Sequence, residues 1–149
     1  MFGCLQKMFS TLYFATHQKI CMRSENLYLK FLSYKMVTIE SARKAALSLP
    51  EAEERSHFHI PDFRVKNKIF ATLHLDKNYM MIKLSAVDQS VFCSFDREII
   101  FPVPGGWGKK GATFFDLKKI KKQMLLDALT CAWKNTAPPK LVKQHFDNE

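Results

Sequence analysis

The chain has 149 residues, 47% hydrophobic and 25% charged, and 23 basic against 14 acidic side chains leave a formal net charge of +9. One domain accounts for that length and buries roughly two-thirds of its unfolded surface, so folding requires neither a disulfide nor a metal. No stretch approaches the roughly 18 apolar residues of a membrane span; Cys4, Cys21, Cys93 and Cys131 form no C-x-x-C pair and follow no secretory signal, which points to reduced thiols in a cytoplasmic protein.

Residues 1–35 differ from the rest. They carry Lys7, Lys19, Arg23, Lys30 and Lys35 against Glu25, with Phe2, Leu5, Met8, Phe9, Leu12, Tyr13 and Phe14 at loosely helical spacing. Three readings compete: an amphipathic targeting or membrane-surface helix, a signal peptide interrupted by Gln6 and Lys7, and sequence upstream of a true start at Met36. The third is preferred, because a well-patterned domain begins there. The expected organisation is an extension over 1–35 and a single domain over 36–149.

From Met36 the elements read in order. Thr38, or else Ser41, caps a helix with Ala42, Ala45, Ala46 and Leu49 on its apolar face, and Pro50 ends it. Glu51, Glu53, Glu54 and Arg55 read as a polar connection. Phe63 to Lys66 alternates as a half-buried strand, Asn67-Lys68 turns, and Ile69 to Leu75 returns, making a hairpin. Asp76 to Asn78 is a turn and Tyr79 to Leu84 a third strand. Ser85 and Asp88 resemble a capping box opening a short helix over Ala86 to Ser94. Glu98 to Phe101 and Ala112 to Phe115 are short strands on either side of a glycine-rich loop. Asp116 caps the longest helix, with Leu117, Ile120, Met124, Ala128 and Cys131 or Ala132 as its buried stripe. Lys118, Lys119, Lys121 and Lys122 fall mostly on its other face, where charge in the first turn opposes the helix dipole. Pro138-Pro139 ends that helix, and Leu141 to Phe146 forms a last short turn. Short turns between strands favour an antiparallel sheet. Covering one face with the two main helices makes an α+β layer architecture.

The loop is the most informative segment. Phe101-Pro-Val-Pro-Gly-Gly-Trp-Gly-Lys-Lys-Gly-Ala-Thr113 sets Trp107, Lys109 and Lys110 among four glycines, a composition suited to an exposed turn that carries function. Trp107 has two readings, an exposed contact group or a lid folded back on the core. Trp133 reads as a core anchor of the long helix, and Cys93 and Cys131 as small fillers of apolar gaps.

Four segments then resemble the MmcQ/YjbR family in order and spacing: Pro61-Asp-Phe-Arg-Val-Lys-Asn-Lys-Ile-Phe-Ala-Thr-Leu73, Lys83-Leu-Ser-Ala-Val-Asp-Gln89, the Phe101–Thr113 run, and Ala132-Trp133 followed by Ala137-Pro138. The likeness covers about residues 37–145. Relatives often carry His where this chain has Ile60, with His57 and His59 nearby. The resemblance implies a fold like that of YjbR and the frataxin homologue CyaY, with helices on one side of an antiparallel sheet. It also implies DNA binding through two wings, with no catalytic residue and no cofactor.

The residues that suit phosphate contact are Arg64, Lys66 and Lys68 on the hairpin and Lys109 and Lys110 on the loop, with Trp107 available to pack on a sugar or an exposed base. Arg64 and Lys66 share strand parity and are expected to face outward together. His57-x-His59 with Asp62 offers a fragment of a metal site that nothing completes, so no metal is expected. No G-x-S-x-G, phosphate-loop or H-E-x-x-H motif occurs. The expectation is non-enzymatic binding of DNA by a monomer without a membrane partner. The alternative is a small-molecule or protein interaction module holding an anionic ligand near Trp107.

Overall fold

The computed structural model describes residues 37–146. The expectations for residues 1–35 and for a start at Met36 lie outside the described residues, as do Cys4 and Cys21.

Helix α1 (Ile39–Leu47) starts where the sequence places it. The Thr38 hydroxyl oxygen accepts from the Ser41 amide at 3.1 Å, satisfying an amide that the first helical turn leaves unpaired. Ala42, Ala45 and Ala46 are buried, and their small size lets the helix lie close to its neighbours.

Next comes a strand that the sequence reading misses. Glu51 to Arg55, expected as a connection, lies mostly within β1 (Ala52–His57), which pairs antiparallel with β2 (Ile60–Val65). β1 is an edge strand, so only one side is hydrogen-bonded, and charged side chains protect the other from further pairing. Its acids are used locally: Glu54 meets Arg43 of α1 at 3.2 Å and Glu53 meets Arg55 at 3.0 Å. Phe58 and His59 both take positive φ, as a two-residue hairpin turn requires.

β2 and β3 (Lys68–His74) form the expected hairpin, with its turn one residue earlier. Lys66 and Asn67 have φ of 48° and 65°, so Lys66 belongs to the turn and does not share strand parity with Arg64. The register moves from Phe63 opposite Ala71 to Arg64 opposite Ile69. Phe70 is therefore an extra residue, and this bulge lets Phe70 and Ala71 both enter the core.

β4 (Tyr79–Lys83) follows, then α2 (Ala86–Phe95), whose Ser85 cap accepts from the Asp88 amide and donates to its carboxylate. β5 (Ile100–Pro102) is shorter than expected. The glycine run is not an open loop but encloses one helical turn, α3 (Gly106–Lys109), before β6 (Ala112–Asp116).

The long helix also begins later than expected. Asp116 ends β6. Its carboxylate accepts from the Lys118 amide at 2.9 Å, and its carbonyl accepts from the Ile120 amide at 2.9 Å. That turn buries Leu117 and Ile120 at helix-like spacing without being part of the helix. Helix α4 (Lys122–Thr136) buries Leu125, Ala128, Leu129, Ala132 and Trp133, while Met124 and Cys131 lie at its margin. Lys118 and Lys119 thus sit on a turn, with Lys121 at the cap position. Pro139 opens α5 (Pro139–Phe146), where its fixed φ and missing N–H cost nothing.

The six strands lie in the order β1-β2-β3-β4-β6-β5, each antiparallel to its neighbours. Phe63, Leu73, Met80, Ile82, Ile100 and Phe115 point to one face and are fully buried beneath the helices. The expected α+β architecture is present. Trp133 is fully buried, as expected, and its indole N–H donates to the Pro50 carbonyl at 2.9 Å, tying α4 to the α1–β1 corner. Cys93 and Cys131 are half-buried against the core, and burial pushes both thiols up from their ordinary pKa. Among the described residues, no helix is long and apolar enough to cross a membrane.

Candidate functional site

Antiparallel pairing decides which turns share an end of the sheet. The β2–β3 turn at Lys66–Asn67, the end of β4 at Lys83, and the β5–β6 connection carrying α3 all emerge together. The centres of the two basic connections are three strand spacings apart, or about 14 Å.

The connection around Trp107 is tightly built. Gly105 and Gly111 have φ of 85° and 93°, which a side chain disfavours. A Cβ on Gly108 would overlap the Val103 carbonyl oxygen, and one on Gly111 the Leu84 carbonyl oxygen. The backbone closes on itself through Gly111 N–H to Gly108 O at 3.0 Å and Val103 N–H to Ala112 O at 2.9 Å. It joins β4 through Leu84 N–H to Gly111 O at 3.0 Å.

Gln89 of α2 supplies the clasp. Its side-chain amide donates to Gly108 O at 3.1 Å, Ala112 O at 3.3 Å and the Thr113 hydroxyl at 2.9 Å. Two of the four resemblance segments are thereby joined, the one ending at Gln89 and the glycine-tryptophan run. Trp107, held on this rigid turn, is 73% exposed. It does not fold back as a lid. Lys109 and Lys110 beside it are exposed and make no ion pair among the described residues.

The other expected contact residues are placed less uniformly. Lys66 reaches Glu51 in an ion pair, so its charge is partly matched. Lys68 opens β3 and lines a recess of about 610 Å³ with Lys134 and Lys143. Arg64 is engaged within the sheet: its Nε and Nη2 donate to the two oxygens of Asp62 at 2.6 and 2.9 Å. Asp62 is fully buried, and this fork holds the Arg64 guanidinium still more firmly protonated than usual. Arg64 stands apart from the loop lysines, whereas Trp107, Lys109 and Lys110 stand together.

His57 ends β1 and His59 lies in the turn beyond it, where strand parity no longer applies. With Asp62 bound to Arg64, that trio is not assembled. Among the described residues, no cluster of three His, Cys, Asp or Glu side chains is placed to hold a metal.

Sequence reasoning missed Gln89, Lys83 and two of the recess lysines, Lys134 and Lys143. The register signal for Lys83 was present, since it follows the alternation of β4 and falls opposite Ala112, next to the loop. Gln89 carried no local signal, because its partners are 19 to 24 residues away.

These features define an α+β domain with helices on one face of an antiparallel sheet and a glycine-bounded, tryptophan-bearing turn at one sheet end. The family model for YjbR matches residues 47–135, and the chain belongs to the YjbR family. Among solved structures, the chain is similar to Deinococcus radiodurans protein DR2400, which carries a DUF419 domain. The TM-score is 0.58 at 18% sequence identity, covering 74% of this chain and 81% of that one. That likeness concerns the fold. No curated protein matches the chain.

Proposed function

We propose that this protein binds DNA without catalysing a reaction on it, with little sequence preference and with much of the affinity from phosphate contacts. One observation carries the reading: two basic connections emerge at the same end of the sheet, and one displays an exposed indole between its glycines. Their separation of about 14 Å is comparable to the roughly 12 Å width of a major groove. Lys109 and Lys110 sit on a backbone fixed by hydrogen bonds, so contact with phosphate orders few additional groups. The net charge of +9 favours the encounter.

The test is fluorescence anisotropy of a labelled random duplex titrated with the full chain at two salt concentrations. Affinity should fall steeply with salt, by a log–log slope of about −0.9 for each phosphate neutralised. No binding at low salt would remove the proposal.

The recess lined by Lys68, Lys134 and Lys143 favours a second reading, an anionic small-molecule site. It lies beside the hairpin and α5, away from the expected position near Trp107. Binding of such a ligand would depend on salt only weakly, which separates the two readings.

A further inference from the structure

The helices cover one face of the sheet. On the other face, the central and β5-side strands carry His74, Tyr79, Phe101 and Phe114 among Thr72, Met81, Lys83, Ala112 and Asp116. Register sets His74 opposite Tyr79, Met81 opposite Phe114, and Phe101 opposite Phe114. The rings form one connected group, with centroid distances of 5.3 Å for His74–Phe114, 5.7 Å for Tyr79–Phe101, 5.8 Å for Tyr79–Phe114 and 5.9 Å for Phe101–Phe114. All four residues are half-buried, in contrast to the fully buried Met80, Ile82 and Phe115 that alternate with them. Each of the four keeps part of its surface open to solvent. Sheet faces turned to water ordinarily carry polar side chains in this alternation.

Charge points to the occupant. Followed along β4 and β6, this face runs from the Tyr79–Asp116 pair through Met81–Phe114 to the Lys83–Ala112 pair, about 14 Å at strand rise, with the rings in its first half. Beyond Lys83 it meets the connection bearing Lys110, Lys109 and Trp107, which directly precedes Ala112. Lys83, Lys109 and Lys110 make no ion pair among the described residues. Of the acids bordering the face, Asp62 is engaged by Arg64, Glu53 by Arg55 and Asp116 by the Lys118 amide, while Asp76 acts on His74 at the end of the face opposite Lys83. The face thus carries a connected group of rings, packed edge-to-face or tilted at 42–85°, and ends on the Lys83 side in unmatched positive charge. A DNA duplex stacks its base faces internally and offers only its backbone and groove edges, whereas a single strand offers bases and phosphates together.

We propose that this open face is a stacking platform for unpaired bases and that the preferred ligand is single-stranded DNA. Roughly two to three bases lie along the face, as on other aromatic sheet surfaces that bind single strands. Their phosphates lead to Lys83, Lys109 and Lys110, and Trp107 takes a further base or sugar at the end. The inference rests on the DNA-binding reading above and adds the strand state of the ligand.

The experiment compares three labelled ligands with the full chain by anisotropy at one low and one moderate salt concentration: a short mixed-sequence strand, its duplex, and an abasic strand of equal length. The intact strand should bind at least about tenfold more tightly than either of the others. Tyr79→Leu and Phe101→Leu keep apolar bulk but remove the π-face. Each should weaken the intact strand by roughly tenfold and leave duplex affinity within about twofold. The abasic comparison uses the wild-type protein, so it decides the matter even if the variants fold poorly. Equal binding of intact and abasic strands, or a preference for duplex, overturns this inference and leaves the DNA reading standing. No binding of any form at low salt overturns both.

Discussion

Replacing Gln89 with alanine tests whether the Trp107 turn is held from outside. The amide has two hydrogens for three acceptors, so about two full hydrogen bonds are lost. No acceptor is orphaned: Gly108 O keeps the Gly111 amide, Ala112 O keeps the Val103 amide, and the Thr113 hydroxyl keeps its bond to Gly111 O. At about 0.5–1.5 kcal/mol per bond, the cost falls in the lower half of the summed range, about 1–2 kcal/mol. The better helix propensity of alanine in α2 offsets a few tenths of a kcal/mol. For a domain of this size the expected fall in Tm is about 4–8 °C. Hydrogen exchange should locate the effect, with faster exchange at the Val103, Gly111 and Leu84 amides and little change at Phe63 or Leu73. DNA affinity should fall with it, because Lys109 and Lys110 lose their fixed positions. Unchanged Tm and unchanged exchange across residues 103–112 would refute the clasp and leave the turn to its own backbone bonds.

Glycine positions in the same turn are not equivalent. Gly108→Ala should destabilise strongly, because its Cβ would overlap the Val103 carbonyl, while Gly106→Ala meets open space and should leave Tm almost unchanged in the same thermal melts. Changing Lys109 and Lys110 together to alanine should weaken DNA binding and make the salt slope shallower by up to about 2, with thermal stability nearly unaffected because both side chains are exposed. Full affinity in that double variant would remove the turn from the interface. Trp133→Phe loses the bond to Pro50 and part of its packing, and urea unfolding should show a loss of about 2–4 kcal/mol. Burial holds His74 below the usual histidine pKa, so the unfolded chain protonates first as pH falls. Its contribution to stability is therefore present above about pH 6.5 and declines as pH falls through that value toward the folded pKa. His74→Phe should flatten that part of a Tm-against-pH curve.

Elements whose signal was local were legible in the sequence. The Thr38 and Ser85 caps, the alanine face of α1, the alternation of β2 to β4 and the burial of Trp133 each follow from neighbouring residues, and all appear in the structure. So does the placement of Trp107, Lys109 and Lys110 in one glycine-bounded turn. Pairing decided the remainder. β1 reads as a loop because an edge strand needs no apolar alternation, and only its ladder to β2 makes it a strand. Asp116 reads as a helix cap because Leu117 and Ile120 have helical spacing, but β6 holds Asp116 and a turn intervenes before α4. Arg64 reads as a free cation until its neighbour Asp62 is found buried beneath it. Neighbouring residues of a strand face opposite ways, and of Phe114 and Phe115 the second is the buried one. That four rings meet on the uncovered face follows from the registers of β3, β4, β5 and β6 together. Composition and local pattern thus determined most element types, though not β1 or α3, together with the charge and the position of the glycine-tryptophan turn. Only the tertiary structure decided which turns share an end, which charges are already matched and which aromatics remain open, because each depends on hydrogen-bond registers between residues distant in the chain.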